Sequence, residues 1–290
     1  MTNTVLYEAP GPRARRRSRI ASALVSVALL GLLAWVLVRL AERGQLSADR
    51  WGPLINPADP TFSSLWRLLG QALGNTLVAA ALAMVFSLVI GTLLAVSRVV
   101  SAPWYRWAIV GVVELLRGVP VVIAIFFAYR ALPEFGIDLP TLWYLVIGLT
   151  AYNSVIIAEI MRAGILAVPK GQSEAAYAIG MRRHQVLGSI LLPQAFRSML
   201  PALISQLVVI VKDTSLGFII SYFELVRQAQ VIVQNLFNPI QVYFTIAVIF
   251  ILINYGLSKL AVYVENRLSR ARRGEVAQPG DLQQAGAAGD

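Results

Sequence analysis

Six stretches of about 20 residues dominated by Leu, Val, Ile, Ala and Phe constrain this chain more than any other feature, because an α-helix of that length spans a hydrocarbon layer about 30 Å thick. They run over Ile20–Leu40 and then over about Asn75–Ser97, Trp107–Ala131, Thr141–Arg162, Met199–Tyr222 and Ile240–Val264. Within a bilayer every backbone N–H and C=O must be bonded inside the protein, and a helix does this by itself. Composition agrees: 57% of the 290 residues are hydrophobic and 14% are charged, whereas soluble domains have roughly 45–50% and about 25%. The expected fold class is all-α, a polytopic membrane protein with six transmembrane helices.

The polar segments give the orientation. Residues 1–19 form a basic tail ending in Arg13, Arg15, Arg16, Arg17 and Arg19. The span at 20–40 is too long for a signal-peptide core, and no small-residue cleavage pattern follows Leu40, so it reads as a retained helix. Residues 41–74 read as an extracytoplasmic loop. Within it Thr61–Leu73 has the apolar spacing of an interfacial helix, with Trp66 at headgroup level. Assigning loops alternately to the two faces puts 16 Lys and Arg on one side and 5 on the other. By the positive-inside rule both termini and the 162–197 segment are cytoplasmic. The tail at 266–290 begins with four arginines, and 274–290 has the composition of a disordered segment.

Several functions are excluded. The chain has no cysteine and one histidine, His184, so a thiolate site, a His-rich metal site and an H-E-x-x-H metalloprotease are ruled out. There is no G-x-x-x-x-G-K-[ST] sequence to cradle the phosphates of ATP. His184 lies among arginines outside the spans, which leaves an intramembrane serine hydrolase without a base. No catalytic residue, metal ligand or cofactor is expected in this chain. The formal charge of +10 has its source in the residues flanking the spans, so nucleic acid is not an expected partner.

Charges inside spans are expensive, about 2.5–3.5 kcal/mol each at the bilayer centre on insertion scales, and so mark candidate path residues. Glu114 and Arg117 share one helix face, beside Gly118 and Pro120, which break the helix. They read either as the border of a solute path or as a buried pair locking helix packing. Lys212 and Asp213 are adjacent and diverge around their helix, followed by Thr214, Ser215 and Gly217 in a weakened polar stretch. Asn153 and Glu159 lie in the fourth span, with Arg162 within reach of Glu159. For these two, inter-helix contacts compete with a role in the path.

Between the fourth and fifth spans the chain reads GQSEAAYAIGMRRHQVLGSILLP over Gly171–Pro193. Ser173 suits an N-cap and Glu174 the positive end of a helix dipole. Ala175, Ala176, Ala178 and Gly180 then give a short helix whose backbone a partner can approach closely, with Arg182 and Arg183 toward its end. This segment closely resembles the EAA loop of membrane subunits of ATP-binding-cassette importers: Glu174, Ala175 and Ala176, three residues, Gly180, nine residues, then Ile190, Leu192 and Pro193. The stretches LLRGVPVV (115–122), AEIMRAGILAVPKGQ (158–172), LLPQAFRSMLPALISQ (191–206) and VKDTSLGFIISYFELVR (211–227) are similar to permeases for polar amino acids. The extra first span and the opening residues resemble actinobacterial glutamate permease subunits. Arg182 and Arg183 depart from relatives that carry Leu or Ser there.

The resemblance implies a five-helix permease core over 75–265, plus one N-terminal helix, with a cytoplasmic coupling loop at 164–195. It implies a non-catalytic subunit of a bacterial plasma-membrane importer. The partners would be two ATPase subunits binding ATP and Mg, a second permease (identical or homologous), an extracytoplasmic amino-acid-binding protein and membrane lipid. Glu174, Ala175, Ala176, Gly180, Arg182 and Arg183 would dock the ATPase, and glutamate is the expected solute. The alternative is a self-contained ion-coupled secondary transporter or channel.

Overall fold

The computed structural model describes residues 11–100 and 103–275, and every regular element in it is helical. The chain divides into two compact units, Met1–Ser63 and Ser64–Asp290. In the first, α1 (Pro12–Glu42) has no buried residue and is apolar over its whole middle, as a helix bathed in lipid should be. It begins earlier than the sequence suggests and takes in Arg13–Arg19: a proline in its first turn presets the backbone, and arginine is a good helix former. After α2 (Ala48–Ile55), the Asp59 carboxylate accepts bonds from the Thr61 N–H and hydroxyl, at 2.8 and 2.6 Å.

The first helix of the second unit, α3 (Phe62–Val100), has 39 residues. That is about 58 Å at 1.5 Å per residue, longer than the bilayer is thick. The interfacial helix expected at Thr61–Leu73 is the first third of this element, not a separate one. No proline interrupts 62–100, and Gly70 and Gly74 do not suffice to end a helix. Next come α4 (Pro103–Gly118) and α5 (Val121–Glu134), bent 100° from each other. The break falls at Val119–Pro120, where the sequence placed it.

The central element is α6 (Thr141–Leu166). Beyond it lie α7 (Lys170–Ala178), the single turn α8 (Arg183–Gln185) and a π-helical segment, Val186–Leu191. The chain returns through α9 (Leu192–Asp213) and a 3₁₀ segment, Thr214–Ile220. It ends with α10 (Leu225–Leu236) and α11 (Pro239–Glu275). Among the described residues five helices are long and apolar enough to cross a membrane, or six with the bent α4–α5 pair as one span. Of the segment expected to be disordered, residues 276–290 lie outside the described residues.

Burial singles out α6: 67% of its span is buried, against 28% for α3 and 39% for the span containing α9. It packs on α5, α9, α4 and the 3₁₀ segment. Glycines set the closest approaches. A Cβ on Gly148 would lie 2.5 Å from Ile125 Cα of α5, one on Gly91 of α3 2.7 Å from the Ser154 carbonyl oxygen of α6, and one on Gly164 2.4 Å from Met199 Cγ of α9. Lipid tails are as apolar as leucine, so helices associate in a bilayer through such close contacts. Ile125, Leu145, Leu149, Ile210 and Ile220 fill the core that results.

Gly148→Val should therefore cost about 1–3 kcal/mol, the usual cost of overpacking. Gly70→Ala, where an added Cβ meets nothing within 4 Å, should be neutral or slightly stabilising. Thermal unfolding of the purified chain in detergent reads the difference.

Candidate functional site

The polar excursion between α6 and α9 is built around α7. Its N-terminus is set by Pro169, at φ −54° and ψ 133°, so the helix starts at Lys170, ahead of Ser173. Ser173 is not the cap: its hydroxyl donates to the Lys170 carbonyl at 2.8 Å. Glu174 lies one turn inside, exposed. Ala176 is the buried residue of α7, which packs on the π-helical segment, while Ala175, Tyr177 and Ala178 are exposed. Ile165, Leu187 and Ala195 form a small buried cluster with Val96 and Val99 of α3.

Gly180 stands outside the helix, correcting its assignment to the helix itself. Its φ of +81° is the left-handed conformation. The Gly180 N–H donates to the Tyr177 carbonyl at 2.9 Å and the Met181 N–H to the Ala176 carbonyl at 3.1 Å. This pair of bonds is the Schellman arrangement that ends a helix on a glycine. The residue before the glycine, Ile179, is 79% exposed and Tyr177 is 49% exposed. The surface is thus apolar as well as small. Arg182 is exposed, and its N–H donates to the Gln185 side chain at 2.8 Å. Arg183 reaches back to the Val99 carbonyl at 2.9 Å, tying the excursion to the end of α3.

The intramembrane candidates do not converge on one pocket. Glu159 sits near the α7 end of α6, where it bonds both Arg98 of α3 and Arg162 of its own helix. This is a clamp between helices. Asn153 is buried: its amide donates to Leu149 O at 2.8 Å and its oxygen accepts from Gln206 of α9 at 2.7 Å. Gln206 is a partner that hydropathy does not reveal. Glu114 and Arg117 share α4 but form no ion pair among the described residues, and both are exposed on this single chain. At Lys212 and Asp213 the α-helix ends and the 3₁₀ segment begins, with Lys212 exposed and Asp213 half-buried. The weakened stretch expected there is present.

A buried cluster at the far end of the bundle escaped the sequence reading. Glu224 has no exposed surface and caps α10. Its carboxylate accepts from the N–H groups of Val226 and Arg227, at 2.8 and 2.7 Å. Burial pushes this carboxyl up to about 7, against the pull of those two N–H bonds in the other direction. The signal was an acidic cap followed by Leu225, Gln228, Ala229 and Ile232, the buried stripe of α10.

Residues 87–270 match the family described as binding-protein-dependent transport system inner membrane component. The chain is 40% identical over 246 residues to the glutamate transport system permease protein GluD of Corynebacterium glutamicum, covering 82% of this chain and 88% of that one. It is 34% identical to the L-cystine transport system permease protein TcyB of Bacillus subtilis, over 74% of this chain and 92% of that one. Among solved structures, a chain of an amino acid ABC transporter crystallised with histidines superimposes with a TM-score of 0.65 at 29% identity, covering 71% of this chain and 97% of that one.

The Schellman cap makes Gly180 sensitive to side-chain addition. Gly180→Ala should cost about 1–2 kcal/mol, the penalty of an L-residue in left-handed backbone. Gly180→Asn should cost less. Hydrogen exchange at the Met181 amide measures both, with faster exchange in the order Ala, Asn, Gly.

Proposed function

The chain belongs to the family of binding-protein-dependent transport system inner membrane components, as a permease subunit of an amino-acid ABC importer, and we propose that it carries glutamate and is driven through α7. The observation carrying this reading is the outward face of α7. A short helix with Ala175, Tyr177 and Ala178 exposed, and Ile179 exposed just after it, packs on the π-helical segment, whose Leu187 is buried with Ile165 and Ala195. Such a helix transmits force only when something grips it from outside. The partner that fits is an ATPase subunit with a groove for a narrow helix, holding the ATP and Mg that this chain has no loop to bind.

The excess of arginine around 98–106, 162–197 and the termini supports a cytoplasmic position for α7 and for both chain ends. The opposite end, with α10 and Phe237, then faces a binding protein that delivers the amino acid. A second permease, identical or homologous, would cover the face of α4 that leaves Glu114 and Arg117 exposed in one chain, because uncovered charges at membrane depth are costly. Lys212 and Asp213, at the end of regular helix, would line the path, whereas Asn153 and Glu159 are held by Gln206 and by Arg98 and Arg162. The glutamate reading leans on GluD being the more similar of the two named relatives.

In cells Ala175→Trp should lower glutamate uptake by roughly tenfold or more, equivalent to losing about 1.4 kcal/mol of docking, while the chain still inserts. The ATPase should no longer co-purify with it. Undiminished uptake would remove α7 from the coupling path. Uptake by the purified chain alone in liposomes would favour the ion-coupled transporter.

A further inference from the structure

The turn that follows the 3₁₀ segment is tied to α3 more tightly than a connecting loop needs. Ser221 has φ +59° and reverses the chain. Four residues later α10 has begun, and the turn between is stitched to Asn75 and Thr76. The Asn75 amide donates to Phe223 O at 2.8 Å, the Tyr222 hydroxyl donates to Asn75 O at 3.0 Å, and the Leu225 N–H donates to the Thr76 hydroxyl at 3.3 Å. Thr76 is itself fully buried and bonds back to Ala72 O at 2.9 Å.

Glu224 joins this tie to the membrane path. Its two carboxylate bonds hold the first turn of α10. On its other side Gly217 of the 3₁₀ segment lies so close that an added Cβ would be 3.4 Å from Glu224 Cγ, 3.3 Å from Tyr222 Cδ1 and 3.0 Å from Leu145 Cδ2 of α6. The Tyr222 N–H closes the ring by donating to Gly217 O at 3.0 Å. Gly217 lies four residues after Asp213, in the segment where regular helix stops. Whatever moves the turn therefore moves the end of the irregular stretch.

We propose that Glu224 is a positioning residue for translocation: with Tyr222, Asn75 and Thr76 it forms a latch that fixes the 3₁₀ segment, and the latch opens more readily when the carboxylate is ionised. This rests on the reading of the chain as an importer subunit. The physical basis is the cost of a buried charge. Closed, the carboxylate has two N–H donors and no exposed surface; open, it is hydrated. An ionised Glu224 thus gains more from opening than a protonated one. Few other groups can mask its titration. Tyr222 in the turn is a phenol, α3 presents Asn75 and Thr76, the 3₁₀ segment Gly217 and α6 Leu145. Arg227 of α10 directs its guanidinium to Gln230, at 3.0 Å, and over the Phe223 ring.

The sign follows from proton linkage. The closed latch favours the protonated acid up to about pH 7, whereas a hydrated glutamic acid titrates near about 4.3. Between these values the closed state holds the extra proton, so acid favours closure and rising pH favours opening. From pH 6 to pH 8 the opening equilibrium should grow about tenfold.

Hydrogen exchange of the Val226 and Arg227 amides, in the assembled transporter in nanodiscs at pH 6 and pH 8, tests the latch without reference to the solute. Protection factors corrected for intrinsic exchange should fall about tenfold with pH in the wild type. They should be flat in Glu224→Gln, while Glu224→Asp should retain a step. Tyr222→Phe should lower protection at both pH values and keep the step. A flat wild-type profile, or a step that survives in Glu224→Gln, overturns the latch. In proteoliposomes with only the outer pH varied, turnover of labelled L-glutamate should rise several-fold from pH 6 to pH 8 with unchanged KM, and Glu224→Gln should abolish that rise. A latch that titrates in exchange while turnover keeps its pH step in Glu224→Gln would make Glu224 structural only. Absence of any glutamate uptake by the wild type would refute the glutamate reading and leave the exchange result to decide the latch.

Discussion

Everything in this bundle depends on how closely other helices approach α6. In water, leucine-rich helices associate because burial removes apolar surface from solvent; in lipid that drive is absent. What remains is contact distance, and the sequence supplies it with glycine. Gly148 brings α6 to α5, Gly91 brings α3 to α6, and Gly164 brings α6 to α9. At the α7 end Glu159 adds an electrostatic tie to Arg98, and mid-helix the Asn153–Gln206 bond joins α6 to α9. With α6 held on three sides, the α7 excursion that leaves one end of it and the α9 helix packed along it have a fixed base.

Two departures from regular helix lie at the ends of α9. At one end α7 turns on Gly180 and presents small and apolar side chains outward. At the other, α9 gives way to a 3₁₀ segment that ends in a stitched turn. The helix α9 connects them directly, running from the π-helical segment under α7 to Lys212 and Asp213. On the proposed reading, a displacement of α7 would reach the irregular stretch through α9.

Much of this was legible in the sequence, for identifiable reasons. Hydropathy windows find spans because lipid imposes length and composition together. The break at Val119–Pro120 was legible because proline removes a donor and glycine loosens the turn before it. The spacing from Glu174 to Pro193 marked α7. The misses have physical causes too. Cap geometry at Pro169 and Gly180 depends on backbone angles, and residue identity suggested Ser173 instead. The length of α3 was hidden because polar residues near Arg67 and Asn75 lower local hydropathy without breaking a helix. Glu224 gave no signal of its own, since the turn that buries it is fixed by bonds from its neighbours Phe223 and Leu225 to Asn75 and Thr76, about 150 positions away in sequence. Pairing at that distance is set by tertiary packing alone.

The absence of cysteine from the chain makes the central claim, that α7 is the surface gripped by an ATPase, directly measurable. A single cysteine placed by Ala178→Cys, carrying a photo-crosslinker, should capture the ATPase subunit in membrane vesicles, with a yield that changes on adding ATP. The same probe placed by Phe237→Cys, at the exposed end of α10, should not capture it. Capture from Phe237→Cys in place of Ala178→Cys, or no ATPase adduct at Ala178→Cys, would contradict the account.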